Sequence, residues 1–230
     1  MPLGVAPYII AEGGTNHASR APVDRVINAL AIVRAAAMCR ADAVKFQLFR
    51  AGEDLFCPMD GDDRRWRRWE KTLLTDSDWD LIHRTCEDLK IDLILSAFQP
   101  SGVELINELG ITHKVASRAA GKYPYDMMKG ESIGSNGFHE PLTHYILQCN
   151  PTYPAPMEAW RCLETDGISD HSGTVWPAID ALAREENPII EVHFRPVGLD
   201  PGPDAPVELT TSQLKLICEA RDALTEMRQG

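Results

Sequence analysis

The sequence predicts an α/β fold, a parallel (β/α)8 TIM barrel, on three observations. Eight short apolar runs, most of them β-branched or aromatic, recur along 230 residues, as buried parallel strands do. Helical patterns separate several of them, and such alternation implies a parallel sheet. The runs keep ending in polar residues able to hold phosphate or metal. A parallel barrel gathers its chemistry in this way, at the C-terminal ends of different strands.

The runs fall at 8–11, 43–47, 91–95, 112–116, 131–134, 145–149, 166–168 and 189–193. Tyr8–Ala11 leads into Glu12, with Gly13 and Gly14 allowing a sharp turn and Asn16 and His17 just beyond. Nearness to Glu12 makes His17 a candidate for the rim as well. A helix over Val23–Met38 places Val26, Ile27, Leu30 and Val33 on one face, with Asp24 and Arg25 outside. The second run leads through Val44 to Lys45 and Gln47. After it, 61–71 mixes Arg64, Arg65, Arg67 and Arg68 with Trp66 and Trp69. One reading is a lid that stacks on an anionic or aromatic substrate. The plainer reading is an amphipathic helix whose tryptophans pack on the barrel, the usual use of tryptophans near helical spacing.

Thr75, Asp76, Ser77 and Asp78 open a helix through Leu89, with capping oxygens and acids in its first turn. The third run gives way to Ser96, and a helix over Ser101–Leu109 is stopped by Gly110. The fourth carries Lys114 and Ser117. Only Ser135–His144, with Gly137 and Pro141 inside, joins the fifth run to the sixth. That is too short for a full crossover helix with its turns, so a helix around strands 5 and 6 is expected to be shortened or missing. Ile168 precedes Ser169, Asp170 and His171; Thr174–Arg184 is helical; the eighth run delivers His193; and Thr211–Arg228 closes the barrel. No repeat, low-complexity tract or linker interrupts the chain, so 1–230 reads as one domain.

Composition narrows the function. A formal net charge of −11 argues against a nucleic-acid or anionic-membrane surface. No apolar run reaches membrane-spanning length, and the N-terminus lacks the basic segment and long apolar core of a signal peptide. Cys39, Cys57, Cys86, Cys149, Cys162 and Cys218 form no CxxC pair, which suits reduced thiols in a cytoplasmic protein.

The strand-end residues compose a site. Two ammonium groups, Lys45 and Lys114, facing one point bind a phosphate dianion strongly. Ser96, Ser117, Ser135 and Ser169 supply hydroxyl donors. His171 and His193 end neighbouring strands, where two neutral imidazoles chelate a divalent metal and leave positions open for water and a substrate oxygen. The plainer reading of either histidine alone is a hydrogen-bonded pocket residue. Glu12 could take a proton from water or a hydroxyl, or simply pair with Lys45 or Lys114.

AEGGTNH (11–17), ADAVKFQLF (41–49), KVAS (114–117), SDHS (169–172), EVHF (191–194) and PGPD (201–204) occur in this order. Together they resemble the sialic acid synthase (N-acetylneuraminate synthase) family over about residues 8–225. The resemblance implies a (β/α)8 barrel, phosphoenolpyruvate as three-carbon donor, and a divalent metal, often manganese; histidine and oxygen ligands suit iron, cobalt or zinc as well, and magnesium is a further candidate. In that chemistry C3 of phosphoenolpyruvate attacks the aldehyde of an open-chain sugar, water adds at C2, and phosphate leaves by C–O cleavage. It implies Glu12 as the essential carboxylate and His171 and His193 as metal ligands. Lys45, Ser96, Lys114, Ser117, Ser135, Ser169 and Asn150 are implied for phosphoenolpyruvate. Gln47, Phe98, Tyr153 and Asp204 are implied for the acceptor, and a homodimer is implied by analogy.

Most departures concern the acceptor, and the one at Asn150 concerns the phosphate. Arg118 and Ala119 replace the family's glycine and glutamate after KxxS, and Pro151 replaces an asparagine, leaving Asn150 one residue away. The chain reads as the barrel alone, without the C-terminal antifreeze-like domain that helps family members bind the acceptor. The expected function is therefore a phosphoenolpyruvate-dependent synthase whose aldehyde need not be N-acetylmannosamine. The alternatives are a metal-dependent aldolase, lyase or isomerase on the same barrel, or a non-catalytic binding subunit whose partner supplies the missing domain.

Overall fold

The computed structural model describes residues 3–119, 121–135, 143–157 and 165–229. Its strands are β1 (Tyr8–Gly14), β2 (Ala43–Leu48), β3 (Asp92–Ala97), β4 (Thr112–Val115), β5 (Ser132–Ser135), β6 (Tyr145–Cys149), β7 (Gly167–Asp170) and β8 (Ile189–His193). Each pairs in parallel with the next and β1 closes on β8, giving an eight-stranded closed barrel. The helices are α1 (Pro22–Met38), α2 (Asp62–Trp69), α3 (Asp76–Leu89), α4 (Pro100–Leu109), α5 (Trp176–Arg184) and α6 (Thr211–Gln229).

Side chains alternate across each strand, and the alternation separates two cores. Outward residues such as Ile9, Val44, Phe46, Leu95, Ile190 and Val192 pack against the helices through Ile32, Trp79, Ile106, Leu214 and Ile217. Inward residues near the strand starts, Tyr8, Ile10, Ala43, Ile94, Ile133, Leu147 and Ile189, join Leu3 in a separate apolar cluster. This cluster fills the bottom of the barrel. The inward positions that follow are Glu12, Lys45, Ser96, Lys114, Ser135, Ser169 and Glu191, all buried. A polar layer thus sits directly on an apolar floor.

Local chemistry sets the helix ends. Thr75 accepts from the Asp78 amide while the Asp78 carboxylate accepts from the Thr75 amide, a capping box that starts α3. Gly110 ends α4 in the left-handed conformation, at φ 65°. α1 differs from expectation at one position: its buried residues are Ala29, Ile32, Val33 and Ala36, and Ile27 is mostly exposed. The small alanines let the helix seat closely, which turns Ile27 to the flank.

The arginine–tryptophan segment is a helix, α2, and its tryptophans pack. Trp69 stacks on Phe49 at 4.5 Å, Phe49 stacks on Phe98 at 4.8 Å, and Trp66 meets Trp69 edge-on. Arg118 lies 5.9 Å from both the Trp69 and Phe98 rings and pairs with Asp62 at 2.6 Å. Arg64, Arg65 and Arg67 are exposed. The shortened crossover expected after β5 falls mostly on 136–142, outside the described residues. Between β4 and β5 the described chain carries only the 3-10 turn Tyr125–Met127, where a crossover helix would stand.

Candidate active site

Neighbouring strands bring the charged residues face to face. Glu12 is in register with Lys45 on one side and His193 on the other. The Lys45 ammonium lies 2.8 Å from Glu12 Oε2 and 3.2 Å from Glu191 Oε1. Lys114 donates to Ser135 Oγ at 2.6 Å and lies 3.6 Å from Glu191 Oε2. Ser169 donates to Glu191 Oε1 at 2.9 Å. Lys45, Lys114, Ser135 and Ser169 therefore meet around one carboxylate. Ser96, 1% exposed, faces the same interior with no hydrogen-bond partner for its Oγ among the described residues.

Gly14 shapes the approach to Glu12. A bulge interrupts the β1–β2 register between Glu12 and Gly14. Gly14 sits at φ +51°, and a Cβ there would come within 3.1 Å of Glu12 Oε1, 3.5 Å of Asp204 Oδ2 and 3.9 Å of Gln47 Nε2. Three polar groups from three segments thus converge on space that only glycine leaves open. Glu12 Oε1 has no hydrogen-bond partner among the described residues.

Burial and neighbours divide the two glutamates. Burial raises Glu12 to about 7; Lys45 opposes the rise and Glu191 adds to it. Burial would also raise Glu191, but Lys114, Lys45 and the Ser169 hydroxyl outweigh it and hold that carboxyl well below the ordinary range. Burial depresses the Lys114 ammonium, with Glu191 opposing, while Lys45 is raised because Glu12 and Glu191 more than offset its burial. One acid is firmly ionised and the other stands near neutrality. Burial raises Asp204 to about 6, with Glu208 adding to it.

Above this layer His171 and His193 meet with ring centroids 5.1 Å apart. Their Nε2 atoms each lie 3.2 Å from one point, the hydroxyl oxygen of Tyr153. Burial holds both imidazoles below their usual range, His193 at about 3, which favours the neutral ring in each. His171 Nδ1 lies 2.6 Å from the Asn150 carbonyl and must donate to it. That leaves the lone pair on Nε2, the tautomer a metal ligand needs. No third His, Cys, Asp or Glu completes a ligand cluster here among the described residues. The pair could hold a divalent ion that takes its other ligands from water and substrate, and it does not suit a closed structural metal centre.

The other candidates sit around this centre. Phe98 is buried in the aromatic stack at the mouth. Ser117 is half-buried beyond β4, and no hydrogen bond ties it to the lysines among the described residues. The Asn150 side chain accepts from the Thr152 amide at 2.9 Å, closing its own turn, and it is the Asn150 carbonyl that reaches the site. His17 is not a rim residue. It is buried behind the strands, with Nε2 3.0 Å from Thr72 O and its ring edge-on to Phe46 and Trp79; the chain turns at Gly13 and Gly14 and carries it outward. Glu191 is the residue that motif reading passes over. Its signal is a charge inside the apolar run IIEVH, on the same strand face as His193. Cys149, half-buried at the end of β6, lies 3.9 Å from His171 Nδ1.

Comparison with known proteins follows the same lines. The NeuB family model matches residues 32–129. The spore coat polysaccharide biosynthesis protein SpsE of Bacillus subtilis (strain 168) is 27% identical, across 97% of this chain and 69% of that protein. The crystal structure of N-acetylneuraminic acid (sialic acid) synthetase from Leptospira borgpetersenii serovar Hardjo-bovis matches at a TM-score of 0.77 and 20% identity, over 100% of this chain and 90% of that one. The Bacillus subtilis SpsE structure matches at 0.69 and 23% identity, over 99% and 70%. The chain is therefore similar to the NeuB family over 32–129 and to SpsE over nearly its whole length, and it shares the barrel fold of sialic acid synthetase.

Proposed function

We propose that this protein is a sugar-biosynthesis condensing enzyme that uses phosphoenolpyruvate, adding a three-carbon pyruvyl unit to an aldehyde and releasing phosphate. The observation that carries the reading is the buried layer of Lys45, Lys114, Ser135 and Ser169 beside Glu12, with Ser169 two residues before His171 and Glu191 two residues before His193 on neighbouring strands. The NeuB-family match and the homology to a polysaccharide biosynthesis protein support the same class.

Each ammonium has three donors. Lys45 spends two on Glu12 and Glu191, and Lys114 one on Ser135 with Glu191 beside it. Each keeps a donor for an arriving phosphate, and Ser96 Oγ is free to join them. C3 of phosphoenolpyruvate forms the new bond to the aldehyde carbon as its double bond to C2 opens, and the aldehyde oxygen becomes a hydroxyl with the proton that water gives up through Glu12. Water adds at C2, and Glu12, poised at about 7 with Oε1 unpartnered, takes its proton. The tetrahedral centre then breaks its C–O bond to phosphate and becomes the 2-keto group, its hydroxyl proton leaving on the phosphate, while the two lysines hold the charge of the departing phosphate. Glu191 stays ionised and keeps both ammoniums protonated and aimed. His171 and His193 would hold a divalent metal, manganese by preference, which supplies a Lewis acid for the aldehyde oxygen. Gln47, Asp204 and Phe98 at the mouth would receive the acceptor.

Phosphate release from phosphoenolpyruvate, with manganese and a panel of aldehydes, tests the reading. Aldehyde-dependent release with matching loss of donor is the expected result. No heat of binding on titration with phosphoenolpyruvate would overturn it and favour an aldolase, lyase or isomerase on the same barrel.

A further inference from the structure

The Tyr153 hydroxyl stands where a ligand shared by the two histidines would stand. It lies 3.2 Å from Nε2 of each. The phenol ring leans on both imidazoles, with centroids 4.3 Å from His171 and 5.5 Å from His193. The protons along this chain can be counted. His171 gives its Nδ1 proton to the Asn150 carbonyl, so its Nε2 is a bare acceptor and takes the phenolic proton. The phenol oxygen then accepts from His193 with that ring's proton on Nε2. Asp204 Oδ2, on the far side of the ring, is 3.8 Å from Nδ1, beyond hydrogen-bond range. A metal requires the opposite arrangement, with both Nε2 atoms bare and the His193 proton on Nδ1, facing Asp204.

We propose that Tyr153 is a placeholder for the metal, its hydroxyl satisfying both imidazoles until a divalent ion displaces it. The inference rests on the reading of His171 and His193 as the metal pair, and is independent of which donor or aldehyde is used. The two histidines are buried, at 7% and 5% exposure, whereas Tyr153 is 40% exposed and has solvent to swing into. The hydroxyl is thus a competitor built into the site. Removing it spares the incoming ion the hydrogen bonds that now have to be broken, an effect of roughly three- to tenfold in Kd.

Manganese binding to the unaltered protein, to Tyr153→Phe, and to a His171→Ala, His193→Ala double variant tests this, read from loss of the free-ion signal in electron paramagnetic resonance. Phenylalanine keeps the ring packing and removes only the hydroxyl. The expected result is roughly three- to tenfold tighter binding by Y153F, with none by the double variant. Equal or weaker binding by Y153F overturns the proposal, since the hydroxyl is then a bystander or a ligand, and leaves the metal reading standing. No binding by either the unaltered protein or Y153F, or binding that survives in the double variant, removes the metal reading and the placeholder with it.

Discussion

Glu191 is held by the groups around it, and they would suffer most from its loss. Lys45, Lys114 and Ser169 all point at its carboxylate in the barrel interior. Glu191→Ala leaves two buried ammoniums short of counter-charge, a change that costs about 3–5 kcal/mol; urea denaturation at neutral pH measures it. Glu12 yields a different prediction because its carboxyl keeps its proton to about pH 7. In an unfolded chain a glutamate gives it up near 4.3. Between those values the folded protein binds the extra proton. The contribution of Glu12 to stability is therefore full below the lower value and declines as pH rises through about 7. Glu12→Gln flattens this slope, which urea midpoints taken between about pH 5 and 8 would display. Under the proposed function the base must be ionised, so phosphate release should fall on the acid side of about pH 7. In E12Q turnover drops by about 10²–10⁴ and that limb disappears; a pH–rate profile reads both. Both glutamates stand in the sequence as charges at the end of, or within, apolar runs. Their opposite ionisation is not legible there, because it depends on which lysines fold beside each.

Among the elements, α2 is the one whose purpose the sequence left divided between lid and packing. Trp69 lies in a stack with Phe49 and Phe98 and under Arg118. Trp69→Ala should cost about 3–5 kcal/mol, and Trp66→Ala, at a half-buried edge contact, clearly less; thermal unfolding ranks them. Thr75→Ala removes the capping box of α3 and should cost about 1 kcal/mol by the same measurement. All eight strands were legible to within a few residues, because a buried parallel strand is a short apolar run with little else to be. Helix faces were less so. Ile27 belongs to the apolar stripe by spacing, yet the close seat of Ala29 and Ala36 turns it outward. His17 shows the same limit: proximity in sequence to Glu12 says nothing of the side to which the turn at Gly13 and Gly14 sends it.

For the whole molecule, the parity of the strands explains why so much of the site could be read. Lys45, Lys114, Ser169 and Glu191 occupy inward positions by the two-residue alternation alone, and closure of the sheet makes them neighbours. Closure cannot be seen in any one strand, so the partners of each group could not be named beforehand. The histidine pair yields a prediction for the intact protein: chelation should abolish aldehyde-dependent phosphate release and added manganese should restore it, as a continuous phosphate assay would record.

The apolar floor formed by Leu3, Tyr8, Ile10, Ala43, Ile94, Ile133, Leu147 and Ile189 also dictates traffic. A tube stoppered at its base has a single doorway, so molecules entering it must queue. Whatever settles on the lysines enters from the strand ends, and under the proposed function an aldehyde seated near Gln47 and Asp204 would bar the exit behind it. Under the proposed function the donor would enter first, and inorganic phosphate would depart last, after the elongated acid has cleared the doorway. Inhibition by added phosphate should then be competitive against phosphoenolpyruvate and not against the aldehyde.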